Sequence, residues 1–252
     1  MNNQPHAKLR IPGVGKILGV VSGKGGVGKT FVATSIALTL AKLGHPTALL
    51  DANISCPNVF KCLGIQNKIM SGSDHKLLPI QKWGLKVISM AGLTASEDDP
   101  VMWRGPLVSK IIQQMMMQSI WGEVEFLIID FPTGTTDSSV TIMQNFEIDG
   151  VIAVTTPQGL AIPDTRRIIN ASYMMNIPVV GVVENMRGEI FGEGGGNKIA
   201  DMYRLPLLCS IPMRKQIVTL SDAGSPPVFH MEEIEMMFTK MGRNILDKIM
   251  VE

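Results

Sequence analysis

Short apolar runs recur along the chain, each followed by polar residues and then by a stretch of helical spacing. Residues 16–21, 46–51, 126–130, 150–154 and 178–183 are such runs, rich in Val, Ile and Leu. Runs that are apolar on both faces suit strands buried between two layers. Between them, residues 31–43 place Val32, Ile36, Leu40 and Leu43 at helical intervals. Residues 106–120, 135–146 and 162–175 carry further helical patterns, and another helix starts near residue 198. Residues 77–89 read as a small two-strand insertion. Strands alternating with helices predict an α/β fold in three layers, a mostly parallel sheet with helices on both faces. Residues 1–15 are polar with Pro and Gly and read as a flexible tail. Residues 16–252 then form a single domain, closed by an amphipathic helix that spaces Ile234, Phe238, Met241, Ile245 and Ile249 along one face.

The first strand runs into the most informative stretch of the chain. Gly23-Lys24-Gly25-Gly26-Val27-Gly28-Lys29-Thr30 satisfies the phosphate-loop pattern G-x-x-x-x-G-K-[ST]. Strand, glycine loop and helix is the order that pattern requires. Gly25, Gly26 and Gly28 let backbone N–H groups curl around phosphate oxygens without Cβ clashes. The helix N-terminus adds the positive end of its dipole. Lys29 is placed to reach the β- and γ-phosphates, and the Thr30 hydroxyl to ligate Mg²⁺. Two other apolar strands end in carboxylates, Asp51 and Asp130. Ligands of open parallel sheets sit beyond the carboxyl ends of the strands, so the loop and both aspartates converge on one crevice.

Bulk properties narrow the function by exclusion. The chain has 252 residues and a net charge of +1, with no Lys/Arg cluster, which leaves nucleic-acid binding unsupported. No apolar run approaches the ~18 residues of a membrane span. The C-terminal helix mixes acidic and basic residues and lacks the basic excess of a membrane-surface helix. A cytoplasmic protein is expected. The three cysteines, Cys56, Cys62 and Cys209, form neither a disulfide framework nor a Cys-x-x-Cys. The many methionines read as core and helix-face packing.

The loop resembles the deviant Walker A of the family that holds MinD, ParA and the nitrogenase iron protein, because Lys24 directly follows its first glycine. Within that family, residues 17–229 resemble the Mrp/ApbC-type ATPases, the cytosolic iron–sulfur cluster carriers. The matching segments begin at Leu50 (Leu-Asp-Ala-Asn-Ile-Ser-Cys-Pro-Asn), Val101 (Val-Met-Trp-Arg-Gly-Pro), Asp130 (Asp-Phe-Pro-Thr-Gly-Thr-Thr-Asp), Thr155 (Thr-Thr-Pro-Gln), Val183 (Val-Glu-Asn-Met) and Phe191 (Phe-Gly-Glu-Gly-Gly-Gly). The resemblance implies a P-loop NTPase fold, ATP or ADP with Mg²⁺ as cofactors, and a homodimer with ATP sandwiched between subunits. It assigns Lys24 to the partner's phosphates, where transition-state charge develops. It makes Asp51 to Pro57 switch I, Asp130 the Walker B carboxylate that holds Mg²⁺ through water, and Gly134 and Asp137 switch II. It makes Asn185 the adenine-reading amide and lines the base with Pro212 and its neighbours.

Two departures from the family pattern bear on output. The family writes Asp where this chain has Asn53, and an amide orients water but accepts no proton, so slow hydrolysis is expected. The carriers also place a Cys-x-x-Cys segment between the Glu-Asn-Met and Phe-Gly stretches, where two copies bind one [4Fe–4S] cluster. Here only Arg187-Gly188-Glu189-Ile190 lies between them, so the standard bridging site cannot form. Cys56, in switch I, is the one candidate for a cluster held by two subunits. The resulting expectation is an ATPase related to cluster assembly, acting as a homodimer or beside a cysteine-bearing homologue on a client iron–sulfur protein. The competing expectation is a nucleotide-gated binding module of MinD or ParA type, in which turnover merely resets a conformational switch.

Overall fold

A computed structural model describes residues 7–72, 76–93 and 105–250. The segment Val101 to Arg104, part of the family resemblance, lies outside the described residues. The strands are β1 (Val14–Val21), β2 (Thr47–Asp51), β3 (Met70–Ser71), β4 (Leu77–Leu78), β5 (Ile80–Lys82), β6 (Leu85–Ile88), β7 (Val124–Asp130), β8 (Gly150–Thr155), β9 (Val179–Arg187) and β10 (Leu207–Pro212). The helices are α1 (Lys29–Lys42), α2 (Val59–Leu63), α3 (Gly105–Met117), α4 (Asp137–Asn145), α5 (Ala161–Met174), α6 (Gly195–Tyr203), α7 (Lys215–Asp222) and α8 (Glu232–Ile249).

Among the described residues, one sheet of eight strands runs in the order β10-β9-β8-β1-β7-β2-β6-β5. Every pairing in it is parallel except β5 with β6. Every residue of β2 and β8 is buried, which is the outcome that continuous apolar runs require when both sheet faces are covered. From β1 the chain passes through α1 to β2 on one side, while β7 returns through α4 to β8 on the other. That reversal opens a crevice at the carboxyl ends of β1 and its neighbours.

Helix α8 shows how the amphipathic reading cashes out. Ile234, Phe238, Met241, Ile245 and Ile249 are all buried, as their spacing predicts. The Phe238 ring meets Phe31 edge-on, with centroids 5.6 Å apart, so α8 braces the first turn of α1 from behind. Met115 and Met116 of α3 pack into the core, in line with their reading as filler. No helix among the described residues is long and apolar enough to cross a membrane.

Two expectations need correction. Residues 77–89 are no insertion: β6 pairs in parallel with β2, and β5 folds back as the antiparallel edge of the central sheet. The tail is tied down before residue 15. Leu9 exchanges backbone hydrogen bonds with Asn145 and Glu147, Ile11 is buried, and β1 already starts at Val14. Strand β10 joins the sheet beside β9, and α7 follows it without having been foreseen.

Phe238→Ala is expected to lower unfolding stability by about 3–5 kcal/mol, the usual loss for emptying a fully buried aromatic site. Urea denaturation checks it.

Candidate functional site

The site begins with strand register. Val20 of β1 pairs with Asp130 of β7, and Asp130 pairs in turn with Asp51 of β2. Three adjacent parallel strands thus end level, with two carboxylates beside the loop that leaves β1. Helix α1 starts at Lys29, and its N-cap, Gly28, has a φ of 81° in the left-handed region that favours glycine. No side chain caps α1 and no acidic residue stands in its first turn. Its N-terminal N–H groups and dipole are left to an external acceptor. The Asn185 side-chain amide donates to the Val27 carbonyl at 2.9 Å and fixes the loop from behind. A Cβ on residue 28 would come within 2.2 Å of that amide, a second reason for glycine there.

Asp130 organises what faces the crevice. Lys29 Nζ lies 2.5 Å from its Oδ1, and the Thr30 hydroxyl donates to its Oδ2 at 2.6 Å. Lys29 and Asp130 are both buried. A buried pair of this kind is costly to desolvate, and it holds the lysine and the hydroxyl ready beside the loop. Lys24 points elsewhere: its ammonium donates to Gln158 Oε1 at 3.3 Å, after the end of β8.

Asp51 is wholly buried and accepts from the backbone N–H groups of Asn53 and Val59 and from the Ser89 hydroxyl. Burial, and next the neighbouring Asp130 charge, push its carboxyl up to about 7. Against the expectation that it joins the loop at the crevice, Asp51 holds the backbone of Asn53 and Val59 and does not line the cavity. The cavity itself, of about 350 Å³, is bounded on one side by Ser22, Lys24 and the loop from Gly26 to Phe31. Asn53 and Thr133 close one end, and Asn58, Lys61, Cys62, Ser221 and Asp222 form the far wall. A second cavity of about 500 Å³ adjoins it through Asn53 and Thr133, and runs between residues 53–56 and the Pro132 to Ser138 segment.

The structure thus brings Lys24, Gly26, Val27, Gly28, Lys29, Thr30 and Asn53 to one cavity, with Asp130 beneath. Asn185 and Pro212 stand outside its wall. Gly134 (φ 71°) and Asp137 begin the adjoining segment that leads into α4. Cys62 is half-buried and lines the cavity, because α2 is a single short turn whose residues Lys61 and Cys62 border it. Burial pushes its thiol up to about 12, and that of Cys209 to about 11. Cys56 is exposed at the second cavity. Among the described residues, no three of His, Cys, Asp and Glu group as a metal site. Sequence reasoning missed Gln158 as the acceptor for Lys24, and Ser221 and Asp222. The last two lie on α7, which carries only one buried residue, Ile217, and so no apolar stripe.

With that geometry in place, comparison with known proteins decides the family. The family model described as ParA, NUBPL iron-transfer P-loop NTPase, matches residues 13–250. The chain belongs to that family. It is 37% identical over 240 residues to an iron-sulfur cluster carrier protein of Aquifex aeolicus, covering 91% of this chain and 66% of that protein. A carrier protein of Pyrococcus furiosus is 40% identical over 234 residues, covering 84% of this chain and 79% of the relative. A solved Archaeoglobus fulgidus nucleotide-binding protein in complex with ADP is 32% identical, with a TM-score of 0.72 over 84% of this chain and 87% of that one. The cell-division ATPase MinD of Pyrococcus furiosus also superposes with a TM-score of 0.72, at 19% identity, a likeness of fold. The chain is thus a P-loop NTPase of that family, with the mostly parallel sheet that the alternation of strands and helices predicted.

The Asp51 carboxyl has a consequence for stability. Its folded value, about 7, lies above the ~3.9 of an unfolded aspartate. The folded state therefore holds a proton that the unfolded state releases between those values. That contribution is complete below about pH 4 and is lost as pH rises through 7. Urea midpoints of the nucleotide-free protein are expected to fall from pH 5 to pH 8, and Asp51→Asn to flatten that slope.

Proposed function

We propose that this chain binds ATP in the phosphate-loop cavity and hydrolyses it slowly, as a cytoplasmic nucleotide-sandwiching dimer that serves iron–sulfur cluster assembly. The observation that carries the reading is the uncapped N-terminus of α1, with Lys29 and Thr30 held by Asp130 at the floor of the cavity. A triphosphate entering there meets the loop N–H groups and the Lys29 ammonium. Its arrival exchanges the Lys29–Asp130 pair for a Lys29–phosphate pair, which frees the Asp130 carboxylate. The donor set left by that exchange, a hydroxyl and a carboxylate 2.6 Å apart, is oxygen-only and fits Mg²⁺. Thr30 would hold the ion directly and Asp130 through water, and the ion would supply neutralisation of β- and γ-phosphate charge. Lys24 would leave Gln158 for the phosphates of a second copy. Asn53, at the cavity's end, is the side chain placed to orient an attacking water, and its amide takes no proton. Contact of Asn185 and Pro212 with the base belongs to the same proposal.

The cluster is treated as cargo, and the chain's own thiols fit it poorly. Gly188 and Gly192 exchange backbone hydrogen bonds of 3.0 and 2.7 Å, closing a tight hairpin with Glu189 and Ile190 where the resemblance expects a thiolate pair. Cys56, Cys62 and Cys209 lie on three separate elements, and two of them have raised values that disfavour the thiolate. A cysteine-bearing partner, a homologue or the client, would then supply the ligands. Asn53 favours a second reading, the nucleotide-gated module, in which binding matters more than turnover.

Calorimetry is expected to find ADP binding with Mg²⁺ that Lys29→Ala abolishes, and Asn53→Asp to raise single-turnover hydrolysis by up to ~100-fold. Unchanged hydrolysis in Asn53→Asp would refute the assigned role of Asn53. Anaerobic reconstitution with iron and sulfide is expected to leave the isolated chain without stoichiometric cluster, measured as bound iron and acid-labile sulfide. ATP is expected to change the cluster content of a cysteine-bearing partner present in the same mixture. No such change, alongside intact ATP binding, favours the gated module.

A further inference from the structure

Asp137 begins α4, three residues after Gly134, and its carboxylate lies against the first residue of α3. A Cβ built on Gly105 would fall 2.2 Å from Asp137 Oδ2 and 3.2 Å from its Cγ, and the three atoms it would meet first all belong to that side chain. The bare backbone of Gly105 is therefore what allows α3 to seat on Asp137. The other end of this segment is fastened to the phosphate loop. Gly134 N–H donates to the Ser22 carbonyl at 2.8 Å, and the Ser22 hydroxyl donates to the Lys24 carbonyl at 3.1 Å. The segment is also bound to its own helix, since Ser139 Oγ donates to the Gly134 carbonyl at 2.9 Å. Helices α3 and α4 are joined further along by the Ser109 and Thr141 hydroxyls, 2.7 Å apart. A displacement at Gly134 thus has a continuous route of contacts into α3. The cavity of about 500 Å³ lies along that route, with Asn53 to Cys56 on one lip and Gly105, Val108 and Asp137 on the other.

We infer that Gly105 is a positioning residue: its close contact with Asp137 couples α3 to the loop facing the nucleotide, so that the cleft between residues 53–56 and α3 follows the nucleotide state. The inference rests on the nucleotide reading above and adds to it the element that moves. The three atoms nearest to a β-carbon at 105 all belong to the Asp137 side chain, with its carboxylate oxygen first, so the substitution acts by re-aiming Asp137.

Gly105→Ala tests this. It is expected to keep the wild-type melting midpoint and ADP affinity, and to lower kcat about 10- to 100-fold with KM within about twofold, the scale of loss when a catalytic loop is misplaced. Asp137→Ala alone is expected to lower kcat as well, and Gly105→Ala on top of it to cost nothing more. Cys56, on the opposite lip, supplies a readout independent of turnover. Its alkylation rate, followed site by site by mass spectrometry, is expected to differ between ADP and a non-hydrolysable ATP analogue in the wild type, and to lose that difference in Gly105→Ala. Wild-type turnover in Gly105→Ala, additive losses in the double variant, or a persisting nucleotide difference at Cys56 overturns the inference. If alanine at 105 lowers the midpoint, Asp137→Ser in the same chain must restore it by relieving the clash, and failure to do so overturns the inference too. Absence of ADP binding to the wild type overturns the nucleotide reading instead, so the two failures are distinct.

Discussion

One carboxylate holds the site together before any ligand arrives. Asp130 meets the Lys29 ammonium with one oxygen and the Thr30 hydroxyl with the other, and it can do so only if β1 and β7 are parallel neighbours ending level. It also requires α1 to start directly after the glycine loop, so that two consecutive residues reach the same carboxylate. A buried ion pair is a weak source of net stability, because desolvating both charges offsets most of their attraction. Its presence at the floor of an otherwise open cavity therefore points to a ligand that exchanges with it. A polyanion is the species that can draw the lysine away while leaving the carboxylate to a cation.

That arrangement constrains the rest of the fold. The reversal of strand direction across β1 puts the loop in a crevice, and α8 supports α1 through the Phe31–Phe238 contact directly behind Thr30. Asn185 ties the Val27 carbonyl, so the loop is fixed from the β9 side as well. Glu184, one residue earlier and also buried, accepts from the Gly196 N–H and the Ser210 hydroxyl, which fastens α6 and β10 to the same strand. The phosphate loop is thus fastened from several sides.

What was legible from the residues follows the range over which the signal acts. Strand termini at Asp51 and Asp130 were readable because each closes a run of buried positions, and the face of α8 was readable because its spacing repeats over four turns. The pairing of β6 with β2 was not, because Trp83 and Gly84 look locally like the tip of an isolated hairpin and nothing nearby encodes a partner some 40 residues away. The early anchoring of Leu9 depends on Asn145 and Glu147, again a distant pairing. Helix α7 escaped because one buried residue makes no stripe, and with it went the Ser221 and Asp222 wall of the cavity. The Gly105–Asp137 contact is of the same kind, since a glycine in sequence does not say which side chain occupies its missing volume.

The identity of residue 53 follows from the same accounting of charge. Asp51 and Asp130 end adjacent strands, and the pair already pushes the Asp51 carboxyl up to about 7 through burial and mutual repulsion. Asn53 N–H donates to Asp51 Oδ1 at 3.1 Å and the residue lines the cavity, so a carboxylate at 53 would add a negative charge there. On the proposed nucleotide reading, an amide there removes one negative charge from the surroundings of the γ-phosphate. Ground-state binding gains from that neutrality, while proton acceptance in the transition state is lost. Affinity and turnover are therefore pulled in opposite directions by a single atom exchange.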